Sequence, residues 1–338
     1  LGRSSPGRVN LFNLSADQMV PAYAHLGDEV FAGKYNIGYW PWELSVVPDA
    51  WLPMLAMVDE IWAISDFVRD AFLGCTDLPV IHMPQCIALP EFEPRTRAYF
   101  GLPENAFVLL YVFDFKSFVK RKNPFDVVRA FRLAFPASER EPVCLVLKTM
   151  NGDDRDPLWR QLMSLVDADP RIVILNQTMA RHDVLALMSV ADSFVSLHRA
   201  EGFGLGIAEA MALGKPVIVT NYSGNTDFTK ADNACLVDYE LVPVKQDDYH
   251  FYQPGQAWAQ PDVEQAASYM RRLKQDVSYG SEIGAAAAAY IGQYHSPAAI
   301  GQRYAERLAC LGLLDNDLSL VQRGVSAGEA VRQAESQA

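Results

Sequence analysis

Residues 194–221 read FVSLHRAEGFGLGIAEAMALGKPVIVTN, and the order of residue types in this stretch decides the architecture. A short apolar run leads into a glycine-rich turn. An alanine-rich helix follows, and Gly214-Lys215-Pro216 opens a second β-branched run. Strand, turn, helix and strand in that order form the unit of a parallel α/β sheet. Glu201 and Glu209 bracket the turn and the first part of the helix. Such a turn presents unpaired backbone N–H groups and a positive helix end to a phosphate, and acids beside it can grip hydroxyls. A phosphate flanked by sugar hydroxyls on both sides describes a nucleotide-sugar.

Outward from this stretch the same alternation continues. Strands are predicted at 107–113, 143–148, 171–175, 192–197, 217–220 and 234–237, and helices at 124–135, 157–166, 182–189, 206–213 and 262–275. Pro124 suits a first helical turn, where its missing N–H would be unpaired anyway. Residues 281–314 read as alanine-rich helix with a break at Ser296-Pro297, and 316–338 as a loosely ordered tail. Upstream, strands are predicted at 9–14, 35–40, 60–64 and 80–83, and helices at 16–25, 49–57 and 66–73, with Ser65 placed to cap the last. Between the two series, residues 88–103 (ALPEFEPRTRAYFGLP) carry three prolines and four charged residues with neither period. The organisation expected is an N-terminal Rossmann-like domain over 1–90, a linker at 91–103, a nucleotide-sugar-binding domain over 104–290 and a C-terminal helix at 291–315. The chain opens Leu1-Gly2-Arg3 without an initiator methionine, and its first part yields only four strands. A complete doubly wound domain usually has five or six. The N-terminal domain is therefore expected to lack its opening strands.

At 338 residues there is room for two cores. The formal net charge of −12 and the single basic cluster at 116–122 exclude nucleic acid as the main partner and leave at most peripheral membrane contact. Five scattered cysteines without a Cys-x-x-Cys pair fit neither a disulfide frame nor a zinc site and suggest a reducing compartment. No apolar run approaches the roughly 20 residues that cross a bilayer. The expected location is the cytoplasm, with peripheral attachment at the inner face of the cell membrane as the alternative.

The glycines Gly202, Gly204 and Gly206 look at first like a dinucleotide fingerprint. The sixth position of G-x-G-x-x-G would be Ile207, however, and Glu209 comes too early for a ribose acid expected about 20 residues on. A dehydrogenase is disfavoured. Instead, Glu201, Gly202, Phe203, Gly204, Glu209, Ala210, Met211, Gly214, Pro216 and Val217 resemble the Glu-x7-Glu signature of retaining glycosyltransferases of family 4. Ser223-Gly224-Asn225-Thr226-Asp227 stands where that family has a Gly-Gly loop followed by an acid. The resemblance covers 104–290 and, more weakly, 8–90. It implies a GT-B fold, with two Rossmann-like parallel-sheet domains facing a cleft. It also implies transfer of a sugar from a nucleoside-diphosphate donor to a saccharide or lipid-linked saccharide acceptor, with retained anomeric configuration.

By the resemblance, Glu209 would grip the ribose and Glu201 the hydroxyls of the transferred sugar. The backbone amides of Phe203, Gly204 and Leu205 would meet sugar or diphosphate. The basic loop FDFKSFVKRKNP at 113–124 follows the first strand of the second domain, at the end where such sheets bind ligands. Family members use an Arg/Lys pair there to clamp the diphosphate. Lys122 takes the lysine position, and the partner falls on Lys116, with Arg121 or Ser117 as alternatives; the loop could also be merely a solvated basic one. Neutralising the leaving diphosphate with side-chain cations removes the need for a divalent metal or other cofactor, and none is expected. Gln177, Thr178 and Met179 would frame the base or form an ordinary connection. Trp40, Trp42 and Glu43, at a strand end, read equally as an acceptor-side sugar platform or as core with a cap. The histidine that family members often place near here has no counterpart, since Trp42 or Glu43 stands in its position. Two rival readings remain, a nucleotide-sugar epimerase of the same fold and a donor-binding fragment without turnover.

Overall fold

The computed structural model describes residues 7–139 and 141–314 of the chain; the predicted tail at 316–338 lies outside them. The first sheet has four parallel strands in sequential order, β1 (Val9–Asn13), β2 (Tyr35–Tyr39), β3 (Glu60–Ala63) and β4 (Val80–His82). Helices α1 (Met19–Leu26), α2 (Asp28–Phe31) and α3 (Asp66–Leu73) lie between them in the chain. Ser65 caps α3 by accepting from the Val68 N–H, as its sequence position predicts. Two upstream expectations change. Residues Ala16–Gln18 form a 3-10 turn ahead of α1, and Asp49–Met57 is 3-10 throughout. Pro53 lies within that second segment, where an α-helix would lose a hydrogen bond and meet a steric clash.

The second sheet is built from β5 (Phe107–Val112), β6 (Val143–Thr149), β7 (Ile172–Asn176), β8 (Ser193–Ser196), β9 (Val217–Thr220) and β10 (Cys235–Val237). Its order is β10-β9-β8-β5-β6-β7, and every pairing is parallel. The order reverses between β5 and β8. In an open α/β sheet the crevice outside the carboxyl ends of the strands, at that reversal, is where ligands bind. The connections are α4 (Val119–Lys122), α5 (Pro124–Ala134), α6 (Pro157–Asp167), α7 (Arg181–Val190) and α8 (Leu205–Ala212). Strands of this sheet read as continuous apolar runs because both faces are covered; Leu109, Leu110, Leu145, Val146, Leu147, Val195 and Ile218 are all fully buried.

Between β10 and the C-terminal helices stands an antiparallel hairpin that the sequence reading did not anticipate, β11 (Tyr239–Pro243) with β12 (Ala257–Pro261). Its long connection crosses to the first unit. There His250 and Tyr249 pack on Trp42, Phe251 packs on Trp51, and the Gln253 side chain accepts from the Asp49 N–H at 3.0 Å. Helices α9 (Val263–Gln275) and α10 (Val277–Tyr294) follow, and Ser296 caps α11 (Pro297–Cys310) at the predicted break. Helix α11 returns to the first sheet. Arg307 pairs with the fully buried Glu60, Nε to Oε1 at 3.0 Å, and Tyr304 packs edge-on against Trp62. No helix among the described residues is long and apolar enough to cross a membrane.

Candidate donor site

Helix α4 is one turn long and both its ends are pinned. Phe118 before it (φ 57°) and Asn123 after it (φ 54°) adopt the left-handed conformation, which a bulky aromatic rarely does without enforcement by its surroundings. Phe118 is held by stacking on His250 at 4.6 Å between ring centres. Asn123 is held by bonds to the Leu197 carbonyl at 2.9 Å and Asp126 at 2.8 Å. This short helix carries Arg121 and Lys122 to the reversal point of the second sheet, where the loop after β8 delivers Glu201.

The three side chains meet there. Lys122 Nζ donates to Glu201 Oε1 at 2.5 Å, and Arg121 Nη1 lies 3.3 Å from the same oxygen. Glu201 Oε2 has no partner among the described residues and remains open to a hydroxyl. Arg121 is almost wholly buried and also donates to the Ala200 carbonyl at 2.8 Å and to Ser117 Oγ at 3.0 Å. Burial pushes the Glu201 carboxyl up, but Lys122, Arg121 and His198 outweigh it and hold the group down at about 2. Burial pushes Lys122 below the ordinary lysine value; Glu201 pulls it back up, and neighbouring Arg121 adds to the depression. One carboxylate thus faces two cations away from water.

The loop that carries Glu201 is locked from both sides. Its N–H donates to Ser223 Oγ at 2.8 Å, and its carbonyl accepts from the Gly224 N–H at 2.9 Å. Gly202 faces the first unit. Ser65 Oγ donates to its carbonyl at 2.7 Å, and a Cβ on Gly202 would sit 2.6 Å from the Trp42 carbonyl oxygen. Gly204 has φ 94° and caps α8, which begins at Leu205. The amides of Phe203, Gly204, Leu205 and Gly206 find no hydrogen-bond acceptor among the described residues, so they are free at the positive end of α8. Glu209, further along α8, is buried, and its Oε1 lies 2.5 Å from Arg181 Nη2 at the start of α7. Burial raises the Glu209 carboxyl above the ordinary value, and Arg181 opposes the rise. Gln177, Thr178 and Met179 form the loop between β7 and α7, two of them exposed, just before Arg181.

Several predicted residues occupy other places. Trp40 and Trp42 are both 0% exposed, so neither ring can stack on a sugar; the reading as core holds, and the platform reading is withdrawn. Trp40 packs on Phe72, and Trp42 donates from Nε1 to the Val46 carbonyl at 3.0 Å. Glu43 alone of the three reaches the cleft. Its carboxylate accepts from the Tyr249 hydroxyl and lies 3.8 Å from Arg121 Nη2. Lys116 is exposed, and its side chain makes no ion pair among the described residues; Arg121 is the cation beside Lys122. His198 is buried at the end of β8 with its ring nitrogens 3.0 Å from Ser196 Oγ and 2.9 Å from Asn225 Oδ1, and burial pushes its pKa down. Arg181 and Tyr249 were not foreseen. Arg181 had a faint signal, the only cation opening the helix after the Asn176–Met179 loop. Tyr249 had none, because the hairpin that carries it was not predicted.

Among the described residues, Asp66, His82 and Asp227 bring ligand-type atoms within 4.8 Å of one another. His82 stands between the two acids, 3.2 Å from Asp66 Oδ1 and 2.9 Å from Asp227 Oδ2. Asp227 also accepts from the Asp66 N–H at 2.9 Å, and Arg69 lies 2.5 Å from Asp66 Oδ1. This group fastens the second unit to the amino end of α3.

Residues 93–242 match the family model for glycosyl transferases group 1. The chain resembles trehalose synthase of Rubrobacter xylanophilus at 25% identity, covering 62% of this chain and 54% of that protein. It therefore spans about half the length of the curated relative it matches. Sucrose-phosphate synthase from Thermosynechococcus elongatus superposes with a TM-score of 0.66 at 19% identity, over 90% of this chain and 74% of the other. Anabaena HepE, solved in complex with UDP and glucose, superposes with a TM-score of 0.65 at 16% identity, over 90% and 78% of the two chains. Staphylococcus aureus TarM, solved with UDP among its ligands, gives 0.62 at 11% identity, over 88% and 53%. The fold is GT-B, as the resemblance implies.

Proposed function

We propose that this protein transfers a sugar from a nucleoside diphosphate to a saccharide acceptor with retained anomeric configuration. The observation that carries the reading is the meeting of Lys122, Arg121 and Glu201 beside the free amides at the start of α8. Two cations and a row of N–H donors suit a diphosphate, and the open oxygen of Glu201 suits a sugar hydroxyl. Glu209 takes the ribose hydroxyls on the same helix. Structures of HepE and TarM contain UDP, which makes UDP the first donor nucleotide to test.

In this reading the bond between the sugar's anomeric carbon and the β-phosphate oxygen breaks, and its electron pair stays on that oxygen. Lys122 and the amides hold the charge. The acceptor hydroxyl adds from the face that the diphosphate leaves, and its proton passes to the departing phosphate oxygen. Arg121 and Lys122 supply the counter-charge that a divalent ion would otherwise bring, so we expect turnover in the presence of a chelator. The acceptor belongs to a growing surface polysaccharide or a glycolipid, a step argued from family analogy alone.

Calorimetric titration with UDP, GDP, ADP and TDP tests the donor site, with Glu209→Ala as control. Binding of one nucleotide, weakened at least tenfold by the substitution, is expected; that corresponds to about 1.4 kcal/mol. Absence of binding by all four refutes the donor-site assignment. With a donor in hand, the anomeric configuration of the product by NMR separates retention from inversion. Change of the donor without any acceptor would favour epimerisation instead.

A further inference from the structure

Beside α4 lies a second cavity of about 490 Å³. Neither Arg121, Lys122 nor Glu201 lines it. Its walls carry Lys120 from α4, Arg129 from α5, Arg199 from the loop after β8 and Lys245 from the hairpin connection. Two acids, Asp126 and Asp248, face these four cations, which leaves an excess of two positive charges in a chain of net charge −12. The volume falls in the range of small-molecule sites, roughly 300–1,000 Å³.

The excess is localised. Lys120 pairs with Asp248 at 2.5 Å and Arg129 with Asp126 at 2.9 Å. Arg129 is 63% exposed, and a pair of that kind contributes little and opens cheaply. Arg199 and Lys245 have no acid partner among the described residues. Arg199 lies over Trp258 with its charge 5.4 Å from the ring centre, and one nitrogen donates to Gln260 at 2.7 Å. Its Nε is buried without a hydrogen-bond partner. A buried donor left unpaired costs free energy unless something accepts from it.

We propose that this cavity is a binding site for a phosphomonoester dianion, separate from the donor cleft. Arg199 and Lys245 meet the phosphate, Arg129 swings from Asp126 to join them, and Phe125 with Trp258 gives an apolar floor for the rest of a small molecule. Two unpaired cations match a dianion in charge, and the planar guanidinium of Arg199 offers the fork geometry that phosphate oxygens accept. The site touches the donor clamp through the backbone, because the Arg199 N–H donates to the Arg121 carbonyl at 2.8 Å.

The test is titration of the full chain with inorganic phosphate and with glycerol phosphate, using glycerol as the neutral control, in buffered chloride. One saturable site is expected in the wild type and in Glu209→Ala, with glycerol silent. Lys245→Ala and Arg129→Ala, both at exposed positions, should each weaken it about tenfold with unchanged melting temperature. Three results overturn the proposal. One is no saturable binding at millimolar phosphate. Another is equal binding in the Lys245→Ala/Arg129→Ala double variant. The third is loss of the phosphate signal under saturating UDP, which would place the ion in the donor cleft. Because Glu209 does not line this cavity and its substitution is expected to weaken nucleotide binding only, failure of the donor reading and failure of this one are told apart.

Discussion

Gly224→Ala puts the rigidity of the donor loop to the test. A Cβ at position 224 would lie 2.0 Å from the Gly202 carbonyl oxygen, 2.4 Å from its carbon and 2.8 Å from the Phe203 nitrogen. All three obstacles are backbone, so no side chain can turn aside. Bringing the closest contact to 3.0 Å requires the strand of chain at 201–204 and the turn at 223–225 to part by about 1 Å. That movement strains the Gly224 N–H to Glu201 carbonyl bond and the Ser65 to Gly202 bond together. It also shifts Glu201 from Lys122. Misplacement of about 1 Å at a reacting centre can cost about 10²-fold, and overpacking typically costs about 1–3 kcal/mol of stability. We therefore expect Gly224→Ala to lower donor turnover about a hundredfold and nucleotide affinity at least tenfold, with a moderate fall in melting temperature. Gly292→Ala is the control, since a Cβ there meets nothing within 4 Å. Initial rates at subsaturating donor and calorimetry of the bound nucleotide are the assays. A Gly224→Ala protein that keeps rate and affinity within twofold of wild type refutes the claim that these two loops form one rigid cradle.

Further outcomes follow from the same geometry. Lys122→Ala should lower donor turnover by about 10²–10³, the loss typical when one donor to a developing charge is removed, read by initial rates, with a fall in melting temperature because Glu201 is left with Arg121 alone. Nucleotide affinity should fall as pH rises through the depressed value of free Lys122, because a bound diphosphate raises that lysine's proton affinity; calorimetry in buffers of different ionisation enthalpy should register proton uptake there. Glu201 is depressed from 4.5 to about 2, so its contribution to stability is complete above 4.5 and is lost as pH falls toward 2; at about 1.36 kcal/mol per unit this is on the order of 3 kcal/mol, and Glu201→Gln should flatten the acid limb of the melting profile. Arg307→Ala would leave the fully buried Glu60 carboxylate with only the Trp62 and Tyr35 donors and no counter-charge, at a cost of about 3 kcal/mol in denaturant unfolding.

Much of this was legible in the residues because local rules and tertiary needs agree there. Helix α3 and strand β9 stand where Ser65 and Pro216 place their starts, a cap in one case and a chain break in the other. The reversal of strand order that creates the binding crevice needs only the alternation of strands and helices, which the apolar runs display. The hairpin β11–β12 was missed because its two strands are separated by residues 244–256 and pair antiparallel in an otherwise parallel chain. Pattern reading also gave no way to choose between platform and core for Trp40 and Trp42, since a strand end looks the same from either face. The choice between Lys116 and Arg121 depended on a one-turn helix whose ends are set by two left-handed residues. Phe118 is an unusual residue for that conformation, and its packing between His250 and Tyr249 explains why the turn forms there.

If the proposed donor site is right, its charge balance explains why it would favour a diphosphate. A balanced ion pair would leave nothing for a ligand to neutralise. Here Glu201 is satisfied twice over, which is why its carboxyl is held so low despite burial, and the second cation is left in surplus. Part of that surplus is offset from across the cleft by Glu43, at 3.8 Å from Arg121 and held by the Tyr249 hydroxyl. The rest falls on Lys122, whose charged form is disfavoured by burial and by its neighbour. In the proposed reaction an entering diphosphate would relieve the lysine, and the charge that builds on the leaving oxygen would relieve it further. The interaction would then strengthen along the reaction, which is the condition for binding energy to accelerate a chemical step.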